Sequence, residues 1–195
     1  MKPILFNTEM VKAILAGRKT VTRRLVKNPP NNVYAGKCVL GAGLFDEATH
    51  MRIVEPQCKI GDILYVRETW AFDTGDDGDE IGTGYFAYRA DDLHHPDCKW
   101  RPSIHMPKEA ARIFLRVKDV RVERLQDITP NQCAAEGIEL YSGPLAYRAT
   151  YYISSFAILW DSTIKPADLA KYGWEANPWV LVIEFERCER PEEDE

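Results

Sequence analysis

The apolar positions near the start of the chain predict a helix that runs directly into a strand. Apolar residues recur at helical spacing over residues 10–15, behind a capping residue at Asn7 or Thr8. Gly17 follows where a left-handed C-terminal cap is needed. Residues 20–22 are β-branched and predict a strand. The Arg and Lys between glycine and strand therefore lie on a helix-to-strand corner, a position that projects side chains into clefts.

The clearest strand pattern covers residues 113–125. Apolar residues alternate from Ile113 to Val117, and the alternation resumes in the opposite phase at Val120. The phase slips at Asp119, which predicts a β-bulge or bend there. Shorter apolar runs predict further strands at residues 38–43, 63–66, 85–88 and 179–185.

Two more helices are predicted between these strands. Thr129 and Gln132, with a proline directly after the threonine, form the pattern of a capping box and predict the start of a short helix. Gly137 is expected to end that helix directly after Glu136. A longer helix is predicted over residues 145–160, which carry large apolar side chains on one stripe.

The order of these elements predicts an α+β fold with a mostly antiparallel sheet or small barrel. A chain of 195 residues fits one domain, and no linker divides it. We therefore expect one domain over residues 1–188. Residues 189–195 are strongly acidic and are expected to form a disordered tail.

The composition adds limits on class and location. Hydrophobic residues make up 45% of the chain and charged residues 28%, which is ordinary for a globular protein. The N-terminus lacks an apolar signal segment, and no apolar run is long enough to cross a membrane. The five cysteines are irregularly spaced, as is typical of reduced thiols. We expect a cytoplasmic protein without a membrane partner, with a monomer favoured.

The charge is unevenly distributed along the chain. The net charge is −5, yet residues 10–45 contain seven basic residues and no acidic one. A concentrated basic segment on an acidic body suits a focused anionic or electron-rich ligand better than non-specific nucleic-acid binding. The alternative is that these cations pair with carboxylates elsewhere in the chain, and the charge pattern leaves both interpretations open.

Lys19 is the most unusual residue of the basic segment. It lies among Arg18, Arg23 and Arg24, and crowding by cations together with partial desolvation lowers the pKa of a lysine toward that of a general base. A nearby threonine hydroxyl could then act as a nucleophile. The alternative interpretation is a solvated basic strand edge that discourages pairing with other chains.

Strand alternation divides the side chains that follow this lysine. Thr20, Thr22 and Arg24 are predicted on one side of the strand. Val21 and Arg23 are predicted on the other.

Two glutamates are further candidates. Glu136 is predicted at the C-terminal end of its helix, where the helix dipole disfavours a carboxylate and favours the protonated form that a proton donor needs. A residue that breaks a local rule is a candidate for function, although an exposed glutamate is the simpler alternative. Glu68 directly follows a predicted buried strand. It is expected either to pair with the basic corner or to form an ordinary surface ion pair.

Metal and cofactor motifs are weak or missing. His94, His95 and Cys98 are spaced like metal ligands, with Cys58 or His105 as a completing ligand, but no CxxC accompanies them. The acidic residues 73–84 match a calcium-binding loop only in part, because glycines occupy two ligand positions. No Walker loop, dinucleotide fingerprint or serine nucleophile elbow is found. We therefore predict neither a metal nor a cofactor.

The motifs taken together resemble a known family. Residues 17–24, GRKTVTRR, are similar to the Gly-x-Lys-Thr corner of ASCH domains. Residues 61–66, GDILYV, resemble the second strand motif of that family, and residues 178–185, PWVLVIEF, resemble its closing strand. Residues 67–70 and 103–107 further resemble a larger subgroup that bacteriophages and prophages often encode. The resemblance covers nearly the whole chain.

This resemblance implies a PUA-like small β-barrel with flanking helices and a cleft, related to RNA-binding folds. Small bacterial members of the family are amidohydrolases that remove the acetyl group from N(4)-acetylcytidine. Carried onto this chain, the proton-accepting lysine is Lys19, the nucleophilic threonine is Thr22 and the proton-donating glutamate is Glu136. The implied ligand is a nucleoside or single-stranded RNA.

Further residues are predicted to bind the substrate, with Arg24 or Arg18 steadying an oxyanion and Trp70 or Trp100 stacking on a base. The predicted substrate-binding residues are Arg18, Thr20, Arg23, Arg24, Glu68 and Trp70.

The chain also departs from the small amidohydrolases. It is nearly twice as long, with insertions expected near residues 28–60 and 71–107. Thr22 and Arg23 also differ from the Glu-x-Arg variant of many ASCH proteins. A non-catalytic RNA- or nucleotide-binding module and a ribonuclease are therefore kept as alternatives to the amidohydrolase.

Overall fold

The computed structural model describes residues 1–38, 41–73, 85–91 and 99–192. Its strands are β1 Lys2–Leu5, β2 Val21–Leu25, β3 Val33–Cys38, β4 Gly41–Asp46, β5 Arg52–Val54, β6 Ile63–Arg67, β7 Trp70–Asp73, β8 Tyr85–Tyr88, β9 Phe114–Arg124 and β10 Trp179–Cys188. Its α-helices are α1 Thr8–Leu15, α2 Pro130–Ala135, α3 Arg148–Ser162 and α4 Leu169–Tyr172. Short 3₁₀ helices cover Arg89–Asp91, Ser103–His105, Lys108–Ala110, Leu125–Asp127, Leu145–Tyr147, Pro166–Asp168 and Trp174–Ala176.

A five-stranded sheet with the order β1-β6-β9-β10-β2 is the centre of the fold. Among the strands of the described residues only β1 pairs in parallel, with β6, so the predicted α+β fold with mostly antiparallel strands is confirmed. The outer strands β1 and β2 lie near each other. Arg24 Nη2 of β2 donates a hydrogen bond to the Leu5 carbonyl of β1 at 2.7 Å. A side chain rather than a strand ladder joins the two edges in the described residues, so the sheet is strongly curled without being a closed barrel.

The long strands β9 and β10 contain the predicted irregularity. Glu184 pairs with Asp119 while Phe185 pairs with Val117, so Lys118 is the extra residue of a bulge. The phase slip predicted at Asp119 is thus confirmed. The bulge allows apolar residues on both sides of the slip to face the core.

Both faces of the curled sheet are covered by apolar side chains. On one face, α1 contributes Val11 and Ile14 to a core that includes Leu115 of β9. On the opposite face, α3 contributes Phe156 and packs with Val182 of β10. The residues of the functional site described below lie where these two cores meet at the edge strand β2.

The helix boundaries follow the predicted capping chemistry. Asn7 Oδ1 accepts a hydrogen bond from the Met10 amide at 2.8 Å, and Gly17 adopts a φ of +71° after α1. Thr129 and Gln132 form the predicted capping box at the start of α2. The third helix was placed imperfectly, because residues 145–147 form a 3₁₀ turn and α3 continues to residue 162.

Two strand predictions were incomplete. The single strand predicted at residues 38–43 is wrong, because β3 ends at Cys38 and its antiparallel partner β4 begins at Gly41. Strand β1 was missed altogether, since a four-residue segment that includes a proline carries little strand signal. Together with β5, β3 and β4 form a separate three-stranded sheet within the first predicted insertion.

Several predictions fall partly or wholly outside the described residues. Most of the acidic loop at residues 73–84 lies there, as do His94, His95 and Cys98. Within the described ranges, no three His, Cys, Asp or Glu side chains are grouped to hold a metal ion. The same ranges contain no helix that is long and apolar enough to cross a membrane.

Candidate active site

The corner that carries Lys19 is fixed by backbone hydrogen bonds to two helices. The amides of Arg18 and Lys19 both donate to the Ala13 carbonyl of α1, at 2.9 and 3.0 Å. The Thr20 amide donates to the Ala135 carbonyl at the end of α2 at 2.8 Å. These bonds hold the corner between α1 and α2, and Lys19 is only 2% exposed.

All three donors of the Lys19 ammonium group are used inside the protein. Nζ donates to the Val21 carbonyl at 2.9 Å, to the Glu136 carbonyl at 2.8 Å and to Glu136 Oε2 at 2.7 Å. Burial lowers the pKa of Lys19, Glu136 opposes that shift, and the neighbouring arginines add to it. The direction agrees with the sequence-based expectation, although desolvation rather than crowding by cations is the main cause.

Glu136 follows α2 directly, and its carboxylate is held by two cations. Oε2 accepts from Lys19, and Oε1 accepts from Arg23 Nη1 at 3.1 Å. Gly137, with a φ of +98°, turns the chain away immediately afterwards. The unfavourable position of a carboxylate at the negative end of a helix is therefore offset by two positive charges at the same end.

Arg23 extends this network to the neighbouring sheet strands. Its side chain is 1% exposed, and Nη2 donates to Glu123 Oε1 at 2.5 Å. Arg121 Nε in turn donates to Glu123 Oε2 at 3.0 Å. Ion pairs of alternating sign therefore lead from Glu136 across the sheet face.

The other two arginines of the basic corner have different environments. Arg24 lies 5.0 Å from the ring centroid of Phe6 and donates to the Leu5 carbonyl. Arg18 is exposed and donates to the Gly137 carbonyl at 3.0 Å. Thr20, also predicted to bind the substrate, is exposed next to it.

Thr22 lies on β2 opposite Ile183 of β10 and is 1% exposed. Its side chain therefore belongs to the α1 side of the sheet, whereas Arg23 belongs to the α3 side, as strand alternation predicts. Lys19 Nζ is bonded to the carbonyl of Val21, the residue directly before Thr22. The structure brings Lys19 and Glu136 into direct contact and places Thr22 one residue from that contact.

A cleft of about 220 Å³ opens beside Glu136. It lies between the start of α1, the basic corner, the segment after α2, and α3. Its lining residues are Asn7, Glu9, Met10, Ala13, Arg18, Glu136, Gly137, Ile138, Glu139 and Leu159. Of the three residues with predicted catalytic roles, Glu136 is the one that reaches the wall of the cleft.

Glu68 forms a separate buried ion pair. Its carboxylate, in a residue 1% exposed, accepts two hydrogen bonds from Arg112, at 3.0 and 3.1 Å. Arg112 also donates to Asp91 at 2.9 Å. Burial raises the pKa of Glu68, and Arg112 opposes the shift. Neither the pair with the basic corner nor the surface ion pair expected from the sequence describes this arrangement.

Trp70 is also buried rather than presented to a ligand. It is 4% exposed and packs with Met106 and Phe114, and its Nε1 has no hydrogen-bond partner among the described residues. Trp100 is partly exposed, with the Arg89 guanidinium 5.4 Å from its ring centroid. Of the two predicted stacking residues, Trp100 is therefore the accessible one.

Glu123 and Arg121 are the site residues that sequence reasoning missed. Strand β9 was interpreted only through its apolar positions, which define the face toward α1. The opposite phase of the same alternation carries Glu123, Arg121 and Asp119 on the face that Arg23 shares. The alternation alone assigns these charges to that face of the strand, but it does not say which of them Arg23 meets.

Comparisons with known proteins leave the family open. No protein-family model matches the chain, and no curated protein sequence is significantly similar to it. Among solved structures, it is similar to the crystal structure of protein EF3133 from Enterococcus faecalis V583, of the family model DUF984. The sequences are 11% identical, the match covers 100% of this chain and 86% of the other, and the TM-score is 0.46. A likeness at this level carries no argument about fold or function.

Proposed function

We propose that this chain is an ASCH-type amidohydrolase with a PUA-like fold, which removes an acyl group from the exocyclic amine of a cytidine-like nucleoside. The observation that carries the proposal is the buried contact of 2.7 Å between Lys19 Nζ and Glu136 Oε2 at the wall of a cleft. These two residues were matched to the family from sequence positions 117 apart. Two residues chosen from such distant positions would rarely be in contact by chance, so their contact supports the match.

The proposed reaction begins with a proton transfer inside the pair. Desolvation favours the neutral amine of Lys19, and the carboxylate at hydrogen-bond distance is the nearest acceptor. Transfer of one proton gives an amine and a carboxylic acid, which are the forms that a general base and a general acid require.

The neutral Lys19 then accepts the proton of the Thr22 hydroxyl as Thr22 Oγ1 attacks the acyl carbon. The acyl C–N bond breaks, and Glu136 gives its proton to the departing exocyclic amine. Water hydrolyses the threonine ester, releasing the carboxylic acid and restoring the Thr22 hydroxyl. Lys19 is then protonated and Glu136 ionised, which is the resting form of the pair, and a new proton transfer from Lys19 to Glu136 begins the next cycle. Because Nζ is bonded to the Val21 carbonyl in the resting state, Lys19 has to exchange that bond for one to Thr22.

The charges of the cleft favour a nucleoside over a nucleic-acid strand. Glu9, Glu136 and Glu139 line the cleft, with Arg18 as the basic residue of the same lining. Lys19 and Arg23 are already paired with carboxylates of the protein. These two cations of the basic segment are thus neutralised from within, as in the alternative that its charge pattern left open. A phosphate group in the cleft would meet an excess of carboxylates.

The direct test is deacylation of N(4)-acetylcytidine, followed by chromatography of the cytidine released. We expect turnover of the nucleoside, weaker turnover of its 5′-monophosphate, and loss of both in Glu136→Gln. Lys37→Ala is the matched control, because Lys37 is a cation of the same basic segment outside the cleft. Wild-type turnover no greater than that of buffer would rule out the proposal.

A non-catalytic RNA-binding role is the second candidate, and Trp100 supports it. A partly exposed indole next to the Arg89 guanidinium provides a stacking surface with a positive charge beside it. Titration with a single-stranded RNA at several salt concentrations tests this role. Binding that weakens with salt and with Trp100→Ala is expected, and binding indifferent to both would contradict it.

A further inference from the structure

We propose that Arg23 and Glu123 form a positioning pair that sets how the proton is shared between Lys19 and Glu136. The proposal rests on the proposed function for its catalytic meaning, but its physical content concerns the protonation of Glu136 alone. Arg23 was predicted from the sequence to bind the substrate, and here it instead positions a proton. Glu123 had no predicted role.

The geometry places Arg23 as a bridge between two carboxylates. Nη1 binds Glu136 Oε1 at 3.1 Å and Nη2 binds Glu123 Oε1 at 2.5 Å. The Arg23 side chain is 1% exposed and is absent from the cleft lining, whereas Glu136 reaches it. Arg23 can therefore act on the reaction through its charge on Glu136 and Lys19, without touching substrate.

Each oxygen of the Glu136 carboxylate has its own cation, and the two cations differ in kind. Lys19, on Oε2, can lose its proton to the carboxylate. Arg23, on Oε1, keeps its charge at all accessible pH values and so always stabilises the ionised form of Glu136. An unopposed guanidinium at this distance would hold Glu136 ionised and keep Lys19 protonated, which is the unreactive form of the pair.

Glu123 provides the opposing charge. It lies on the far side of the Arg23 guanidinium from Glu136, with a side chain 16% exposed. Its other oxygen is bound by Arg121, which is bonded in turn to Asp119 and Glu184. Glu123 is therefore fixed in place and reduces the field that Arg23 exerts on Glu136.

Other groups also act on Glu136, and the test has to leave them unchanged. Those that face or approach it are Lys19 and Arg18 of the corner, Arg23 and Arg24 of β2, Cys133 of α2, and Glu9 and Glu139 across the cleft. Changing Glu123 alters none of these contacts directly, so Glu123→Gln isolates the effect of the positioning pair.

The experiment follows the carboxyl carbon of Glu136 by NMR in protein labelled with ¹³C at the glutamate side chain, with Glu136→Gln to assign the signal. We expect Glu123→Gln to move the midpoint of the Glu136 carboxyl signal to lower pH than in the wild type, because Arg23 is then unopposed. Arg23→Gln is expected to move it to higher pH, and Arg23→Lys to restore most of the wild-type value.

Glu186→Gln is the matched control. Glu186 is an exposed carboxylate of β10 that pairs with Lys118 at 3.3 Å, so its loss should leave the Glu136 midpoint unchanged. A Glu123→Gln midpoint equal to that of the control, or shifted to higher pH, would overturn the proposal. The thermal unfolding of every variant is measured alongside, and Glu123→Gln carries the decision if Arg23→Gln does not fold.

Activity adds a separate readout. If the wild type deacylates the nucleoside, Glu123→Gln is expected to lower kcat about tenfold. KM should be unchanged, because neither Arg23 nor Glu123 touches substrate. Titration shifts without any deacylation would uphold the positioning pair and refute the proposed function. Deacylation without the shifts would do the reverse.

Discussion

Two glutamates of the described residues are buried in ion pairs, and the contrast between them separates a structural pair from a reactive one. Glu136 is 5% exposed and Glu68 is 1% exposed, so burial does not distinguish them. The partners do: Glu68 is bound through two hydrogen bonds by Arg112, whereas Glu136 is bound by Lys19 in addition to Arg23. An arginine cannot give up its proton, while a buried lysine can.

The surroundings strengthen this distinction. Glu136 lies on the wall of the cleft, and Glu68 is outside the lining of that cleft. Arg112 stacks 3.9 Å from the ring centroid of Tyr88, which fixes it further as part of the fold. A buried carboxylate is therefore a candidate for chemistry when its partner can titrate and a cavity reaches it, and burial alone is insufficient.

The largest expected difference is in activity. Lys19→Ala removes the proposed base and is expected to lower kcat for N(4)-acetylcytidine by about 1,000-fold. In Arg112→Met, kcat per folded molecule should stay within about threefold of the wild-type value, because the pair of Arg112 and Glu68 stabilises the fold and takes no part in the reaction. Rates are measured at saturating substrate and corrected for folded protein. Equal losses in the two variants would erase the distinction between the pairs.

The stability of the two variants should differ in the opposite direction. Arg112→Met leaves the Glu68 carboxylate buried without its cation and is expected to cost about 3 kcal/mol in the free energy of unfolding at pH 7. Lys19→Met should cost less, because Glu136 keeps its bond to Arg23. Urea unfolding measures both, with Arg116→Met, an exposed arginine of β9, as the control. A larger cost for Lys19→Met would show that the reactive pair also supports most of the fold.

The loss of unfolding free energy in Arg112→Met should depend on pH, and this dependence sharpens the comparison. Burial already raises the folded-state pKa of Glu68, and loss of Arg112 raises it further. A carboxyl group with a raised folded-state pKa binds its proton more readily in the folded than in the unfolded protein. Its stabilising effect is therefore complete below the unfolded pKa and is lost as pH rises through the folded one.

The deficit of Arg112→Met relative to wild type should accordingly shrink by about 1 kcal/mol when urea unfolding is repeated at pH 5 instead of pH 7. The double variant Glu68→Gln/Arg112→Met is the control, and its stability should lack this pH-dependent recovery. A deficit that is constant between the two pH values would mean that water reaches Glu68 once Arg112 is gone.

Local chemistry made parts of the fold predictable. The caps at Asn7 and Thr129, the turns at Gly17 and Gly137 and the phase slip near Asp119 depend on neighbouring residues, and the structure contains all five. Strand β1 and the curling of the sheet depend on partners 60 or so residues away, as in the pairing of Ile4 with Val66. No local pattern encodes such a partner.

The candidate site divides in the same way. Glu136 was identified because a carboxylate at a helix end breaks a local rule, and Lys19 because it is crowded by cations. The partners of Glu68 and Arg23 could not be assigned, since ion pairing between distant segments is fixed by sheet register. A strand alternation gives the face on which a charge lies, but the register decides which opposite charge it meets.

The smallest expected effect concerns the helix that presents Glu136. The Thr129 hydroxyl caps α2 by accepting a hydrogen bond from the Gln132 amide at 3.3 Å. Thr129→Ala removes this cap and is expected to lower the free energy of unfolding by about 1 kcal/mol. Because Glu136 directly follows α2, fraying of this six-residue helix should also lower kcat severalfold. Thr150→Ala, an exposed position on α3, is the control for losing a threonine. Unchanged kcat in a destabilised Thr129→Ala would mean that Lys19 and Arg23 hold Glu136 in place without the helix, so that the reactive pair, like the structural one, is positioned by its ion pairs alone.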